Sequence, residues 1–217
     1  MSEIFSEIDE DLRREQVQKF LKRYSGLIFA VALVIVAGVG GWRFYQLSQE
    51  KKAAESSAAF EAAITLAGQN KSADAEGAFN KIVADGTKGY QALSRLRAAA
   101  EAAKRDPKAA VLLYDGIAAD GALGPAEQDI ARIRAAGVLL DTAPYAEIRQ
   151  RLEPLAAPGR AFRHTARELL SLSAWRNSDA SATRQWLDMI SKDPESPSAI
   201  RSRAEALQAL LPPAAKS

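Results

Sequence analysis

The sequence predicts an all-α chain: a single transmembrane helix, then a solenoid of helix pairs with a C-terminal capping helix. Three observations carry this. Tyr24 to Trp42 reads as nineteen residues without a charge, bracketed by Arg23 and Arg43. Beyond it, turn signals recur every ~12–18 residues with no strand-like alternation between them. A two-helix pattern then repeats along the rest of the chain. The expected organisation is a cytoplasmic segment (1–23), a membrane helix (24–45), an extracytoplasmic repeat domain (46–211) and a disordered tail (212–217).

The uncharged run comes first. At ~1.5 Å rise per residue it makes about 28 Å of helix, close to the hydrocarbon thickness of a lipid bilayer. Tyr24 and Trp42 stand at its ends, where amphipathic rings favour the headgroup level. A cleaved signal peptide has a short basic leader. Here the leader is long and carries Glu3, Glu7, Asp9, Glu10, Asp11 and Glu15, and bulky Trp42, Phe44 and Tyr45 follow the run. A permanent anchor is expected. Arg13, Arg14, Lys19, Lys22 and Arg23 precede it, against Arg43, Lys51 and Lys52 after it. That asymmetry places the N-terminus in the cytoplasm and the repeats outside.

Within the leader, Ile8, Leu12, Val17, Phe20 and Leu21 recur at helical spacing. Two readings stay open: a continuous helix whose basic residues snorkel to headgroups, or a cytoplasmic docking helix. After Trp42 no Gly or Pro intervenes until Gly68, which predicts a helical extension into the first repeat.

The repeats show in a small-x3-large-x2-apolar pattern. Ala75-x3-Phe79-x2-Ile82 and Ala110-x3-Tyr114-x2-Ile117 are closed by Asp85-Gly86 and Asp120-Gly121. Ile148-x3-Leu152-x2-Leu155 is closed by Pro158-Gly159, and Ala182-x3-Trp186-x2-Met189 by Asp193-Pro194. The small residue admits a neighbouring helix and the large one fills the space beside it. First helices are predicted at about 53–66, 90–103, 127–140 and 162–175. Their core stripes are read as Leu93, Leu96, Ala100 and Ala103 in the second, and Phe162, Ala166, Leu169, Leu170 and Ser173 in the fourth. Residues 198–211 would cap the stack, with Ile200, Ala204, Leu207 and Leu211 on one face. Helix pairs at this spacing are the mark of degenerate tetratricopeptide-type repeats or a generic α-solenoid.

Phe20, Lys22-Arg23-Tyr24, Gly41-Trp42 and Tyr45, followed by an Ala-rich helix and these repeats, make the chain similar to the YfgM-type family of ancillary subunits of the SecYEG translocon. The resemblance implies a bacterial inner-membrane protein with a periplasmic repeat domain. It implies association with SecYEG and a membrane-anchored periplasmic chaperone, in support of newly exported proteins. It also implies, as an alternative, a single-span regulator of envelope stress signalling through residues 1–23.

Composition argues against catalysis. There is no Cys, and His164 is the sole His, so thiolate chemistry and His-pair metal sites have no basis. No nucleophile elbow or phosphate loop occurs in a fitting context. A net charge of +2 gives no footprint for nucleic acid, and neither a cofactor nor a small-molecule substrate is indicated. Partner binding is expected instead. Arg160, Arg163 and Arg167 recur at i, i+3 and i+7, as a basic ridge, with Arg97, Arg132 and Arg134 on the preceding first helices. In the membrane helix, Ala37-x3-Gly41 is a small pair able to seat a partner helix.

Overall fold

A computed structural model describes the backbone of residues 3–212 and the side chains of Lys19, residues 22–27 and residues 29–212. Among the described residues every regular element is a helix. They are α1 (Glu3–Gly68), α2 (Ser72–Asp85), α3 (Lys88–Ala103), α4 (Pro107–Ala119), α5 (Pro125–Leu139), α6 (Tyr145–Leu152), α7 (Arg163–Arg176), α8 (Ala180–Ser191) and α9 (Ser198–Ala209). A 3-10 turn, Glu153–Leu155, follows α6. The chain divides into two compact units, residues 1–54 and 55–217.

In the first unit, α1 passes without a break through the uncharged stretch. Leu27, Phe29, Val34 and Val36 stand exposed along it. From Lys22 onward this is the one helix, among the described residues, long and apolar enough to cross a membrane. Arg23 lies over the Tyr24 ring at 6.0 Å, and Trp42 and Tyr45 pair with centroids 6.4 Å apart. The readings of residues 1–23 as a docking or signalling segment rest mostly on side chains outside the described residues, as does the tail beyond Pro212.

The second unit is a row of helix pairs, and two of its second helices start on side-chain caps. Asp106 caps α4 by accepting from the amides of Lys108 (3.0 Å) and Ala109 (3.1 Å), and Pro107 fits the first turn, where no amide is needed. Asp179 caps α8 through the Ala182 amide at 2.9 Å. Gly159, at φ +80°, makes the left-handed turn that a side chain would strain.

The core runs in series. One cluster joins the end of α1 to α2 and α3 around Phe79; the next joins α3, α4 and α5 around Tyr114. A third links α5 to α8 around Leu152 and Leu170, and a fourth seats α9 on Leu187 and Ile190. Each helix thus packs mainly on its neighbours in sequence, as in a repeat stack.

Two details differ from the sequence reading. In α8 the buried trio is Thr183, Leu187 and Ile190, while Ala182 and Met189 are half-buried. The fourth copy is therefore Thr183-x3-Leu187-x2-Ile190, one residue later than expected. This register puts Asp193 ten residues after the small position, matching Asp85 after Ala75 and Asp120 after Ala110. Trp186 is buried too, but it faces back, donating its indole N–H to the Tyr145 hydroxyl at 2.8 Å. In α3, the buried face is Ser94, Ala98, Ala99 and Ala102, whereas Leu93 is half exposed and Leu96, Ala100 and Ala103 are only half-buried. Helices approach closely on small residues, so the fully buried alanines meet the neighbouring helices, Leu96 and Ala103 pack at the edge of that core, and Leu93 turns toward solvent.

Candidate functional site

Part of the other face of α3, Ala100 and Ala103, borders a groove. First helices stand side by side: α3 touches α5, α5 touches α7 and α7 touches α9. No comparable backbone contact joins α2 to α4, α4 to α6 or α6 to α8. The second helices are bridged by long side chains, such as the Arg151–Asp115 pair at 2.6 Å. The first helices therefore form the tighter, inner row.

Along it lies a groove of about 710 Å³. Ala100 and Ala103 of α3 form one wall, and Ile130, Ile133, Gly137 and Val138 of α5 form the middle. Phe162, Thr165 and Leu169 bound it at α7, and Tyr114 of α4 lies at the bottom. Phe162, read from sequence as core, is thus a half-buried groove residue, while Leu169 both lines the groove and packs against the core held by Ala166, Leu170 and Ser173. The signal was present in α5, which carries small Ala131, Ala135 and Ala136 on one side and large apolar residues on another. A helix apolar on two faces has a second surface to cover.

Arg134 lines the same groove. Burial pushes the Tyr114 phenol above its ordinary range, and the charges of Arg134 and then Arg97 oppose that shift. Arg134 is part of the lining itself, and Arg97 stands one helical turn before Ala100 of the α3 wall. Both are exposed, and neither has an ion pair or hydrogen bond among the described residues.

The other arginines proposed from sequence have intramolecular partners. Arg167 is only 3% exposed; it donates to Asp193 Oδ2 at 2.8 Å, to the Ala156 carbonyl at 3.0 Å and to the Met189 carbonyl at 3.3 Å. Arg163 donates to the same Oδ2 at 2.9 Å and pairs with Glu195. Arg160 and Arg132 both hold Asp129, at 2.5 and 2.8 Å. These residues do not form a free ridge: Arg163 and Arg167 clamp the aspartate that closes their own repeat, as Arg95 clamps Asp120 at 2.5 Å. Hydrogen bonds from Arg163, then Arg167, hold the Asp193 carboxyl far below its ordinary 3.8. His164 sits beside this cluster, with Nδ1 3.1 Å from Ser196 Oγ. Burial first, then the Arg163 charge, lowers its pKa below 6.5. In the first unit, Ala37 is exposed and nothing lies within 4 Å of where a Gly41 side chain would begin.

Chemically, an apolar trough with a phenol and two cations can hold a polypeptide segment. Among the described residues, no group of three His, Cys, Asp or Glu side chains could hold a metal ion. Fold and groove together define a tetratricopeptide-like α-solenoid, a class of protein-interaction modules that are generally non-catalytic. The tetratricopeptide repeat-like domain model matches residues 18–170, more than two thirds of the chain. The chain belongs to that family. Its match takes in the apolar stretch of α1 as well as the pairs up to α7. No match was found among curated proteins or among solved structures.

Proposed function

We propose that this protein is a membrane-anchored interaction scaffold, its N-terminus cytoplasmic and its repeats periplasmic, working beside the SecYEG translocon and a membrane-anchored chaperone on newly exported proteins. One observation carries the scaffold reading: an exposed apolar helix and an open apolar groove occur on one chain of an interaction-module family. The first suits a bilayer and the second suits a partner segment. The five-against-three excess of Lys and Arg before the apolar run supports the orientation. The resemblance of the anchor and its flanks to YfgM-type subunits supports the choice of partners. In the membrane helix, Ala37 and Gly41 offer a small-residue face to a neighbouring span.

A photo-crosslinking residue at Ala103, inside the groove, should capture a translocon subunit, the chaperone or an exported chain in intact cells. The same residue at Leu112, on exposed α4 surface, should not. Equal capture from both positions, or none from either, would remove the groove from the function. A reporter active only in the cytoplasm, fused after Ser217, should be silent; activity there would reverse the topology. Gly41→Leu should weaken copurification with the translocon without blocking insertion. Unchanged copurification would leave that helix face without a partner.

A further inference from the structure

We propose that the groove takes an acidic amphipathic segment of a partner protein, with apolar side chains on the Tyr114–Ile133–Leu169 floor and carboxylates at Arg97 and Arg134. This rests on the groove being the partner-binding surface and adds the chemistry of what enters it. The carrying observation is a contrast among the arginines of the second unit. Arg95, Arg105, Arg132, Arg149, Arg151, Arg160, Arg163, Arg167 and Arg203 are each ion-paired. Arg176, Arg184 and Arg201 donate to backbone carbonyls. Arg97 and Arg134 alone, among the described arginines of this unit, have neither kind of partner. They stand on adjacent first helices: Arg134 lines the groove, and Arg97 lies one helical turn before Ala100, which forms its α3 wall.

Glu101, one turn after Arg97 on α3, pairs with neither of them. It is 5% exposed and is held by Lys104 Nζ at 2.8 and 2.9 Å. Two unpaired cations beside an apolar trough attract a ligand that is apolar on one face and anionic on its edge. A flat headgroup surface satisfies the cations but leaves the trough empty. A neutral apolar segment fills the trough but leaves the cations unanswered. An acidic amphipathic segment does both.

The test uses the full chain in phosphatidylcholine nanodiscs and three fluorescent peptides of about twelve residues. All carry Leu and Phe at helical i, i+3, i+4, i+7 spacing; the remaining positions are Glu-rich, Gln-rich or Lys-rich. Anisotropy should show the Glu peptide binding about tenfold tighter than the Gln peptide, an advantage that shrinks as salt rises from about 0.05 to about 0.5 M. Arg97→Gln with Arg134→Gln should erase that discrimination, and the double reversal to Glu should invert it in favour of the Lys peptide. Circular dichroism should show unchanged helicity in both variants. If Glu and Gln peptides bind alike and neither variant matters, the charge inference falls while the groove reading stands. If none of the three binds, and Gly137→Trp therefore has nothing to block, both fall. Binding of phosphatidylglycerol vesicles that depends on these two arginines, without preference among peptides, would assign them to lipid and overturn the proposal.

Discussion

Leu187→Ala is the sharpest probe of the repeat register. Leu187 is 2% exposed, between Thr183 and Ile190 of α8, and it packs in one cluster with Ile200, Ala204 and Leu207 of α9 and with Leu172. Truncation removes a buried isobutyl group that helps fasten α9 to the stack. Buried Leu→Ala changes cost about 2.7–5 kcal/mol, the transfer loss plus the cavity left behind. Near the end of a stack, α9 can shift inward to fill part of the gap, so about 3 kcal/mol is expected. Met189, half-buried two positions on, should cost about 1 kcal/mol when changed to Ala. The assay is urea unfolding of residues 48–217 followed by far-UV circular dichroism, with hydrogen exchange reading α9 separately. Leu187→Ala should lower the midpoint without altering the slope, and α9 amides should lose protection first. A Leu187→Ala cost under about 1 kcal/mol, with Met189→Ala costing more, would refute the register and restore the alignment on Ala182 and Trp186.

Other outcomes follow from the same packing. Arg163→Glu with Arg167→Glu sets carboxylates against Asp193 and strips the Ala156 and Met189 carbonyls of a donor; the melting temperature should fall by at least about 5 °C, and an unchanged value would make the clamp irrelevant. Ser94 is fully buried and its hydroxyl has no partner, so Ser94→Ala should be neutral or stabilise by about 1 kcal/mol in the same urea assay. Acid should act in two stages. The folded His164 pKa lies below 6.5, so the unfolded chain binds that proton more readily, and stability should decline as pH falls from about 6.5 through the folded value. His164→Asn should flatten that stage in a melting-temperature series. Asp193 is likewise depressed, so its contribution persists above 3.8 and is lost only as pH falls further toward the folded value.

Much of this molecule was legible in the order of its residues. Helix starts and stops are local events: Asp106-Pro107 and Asp179 cap through amides two or three residues away, and Gly159 turns on its own φ. An apolar run such as 24–42 is recognisable because its character needs no partner to express it. The sequence of pairs followed from the recurrence of Ala75, Ala110 and Ile148 with their large neighbours.

Which face of a helix becomes the core was decided only by the tertiary structure. Periodicity says that Leu93, Leu96 and Ala100 share a side of α3, and it says the same of Ala98 and Ala102. It does not say which side meets α2 and α4. Close approach favours the alanines, because interhelical distance is set by side-chain size; Leu93 is left half exposed and Leu96 packs only at the margin of the core. The slip of one residue in α8 has the same origin, since Thr183 serves as the small residue and Trp186 reaches back to Tyr145. The arginines divide for a related reason. Arg167 meets Asp193 across 26 positions and Arg95 meets Asp120 across 25, pairings that loop geometry creates. Arg97 and Arg134 look no different in sequence, and only the folded chain leaves them unpaired beside an apolar trough.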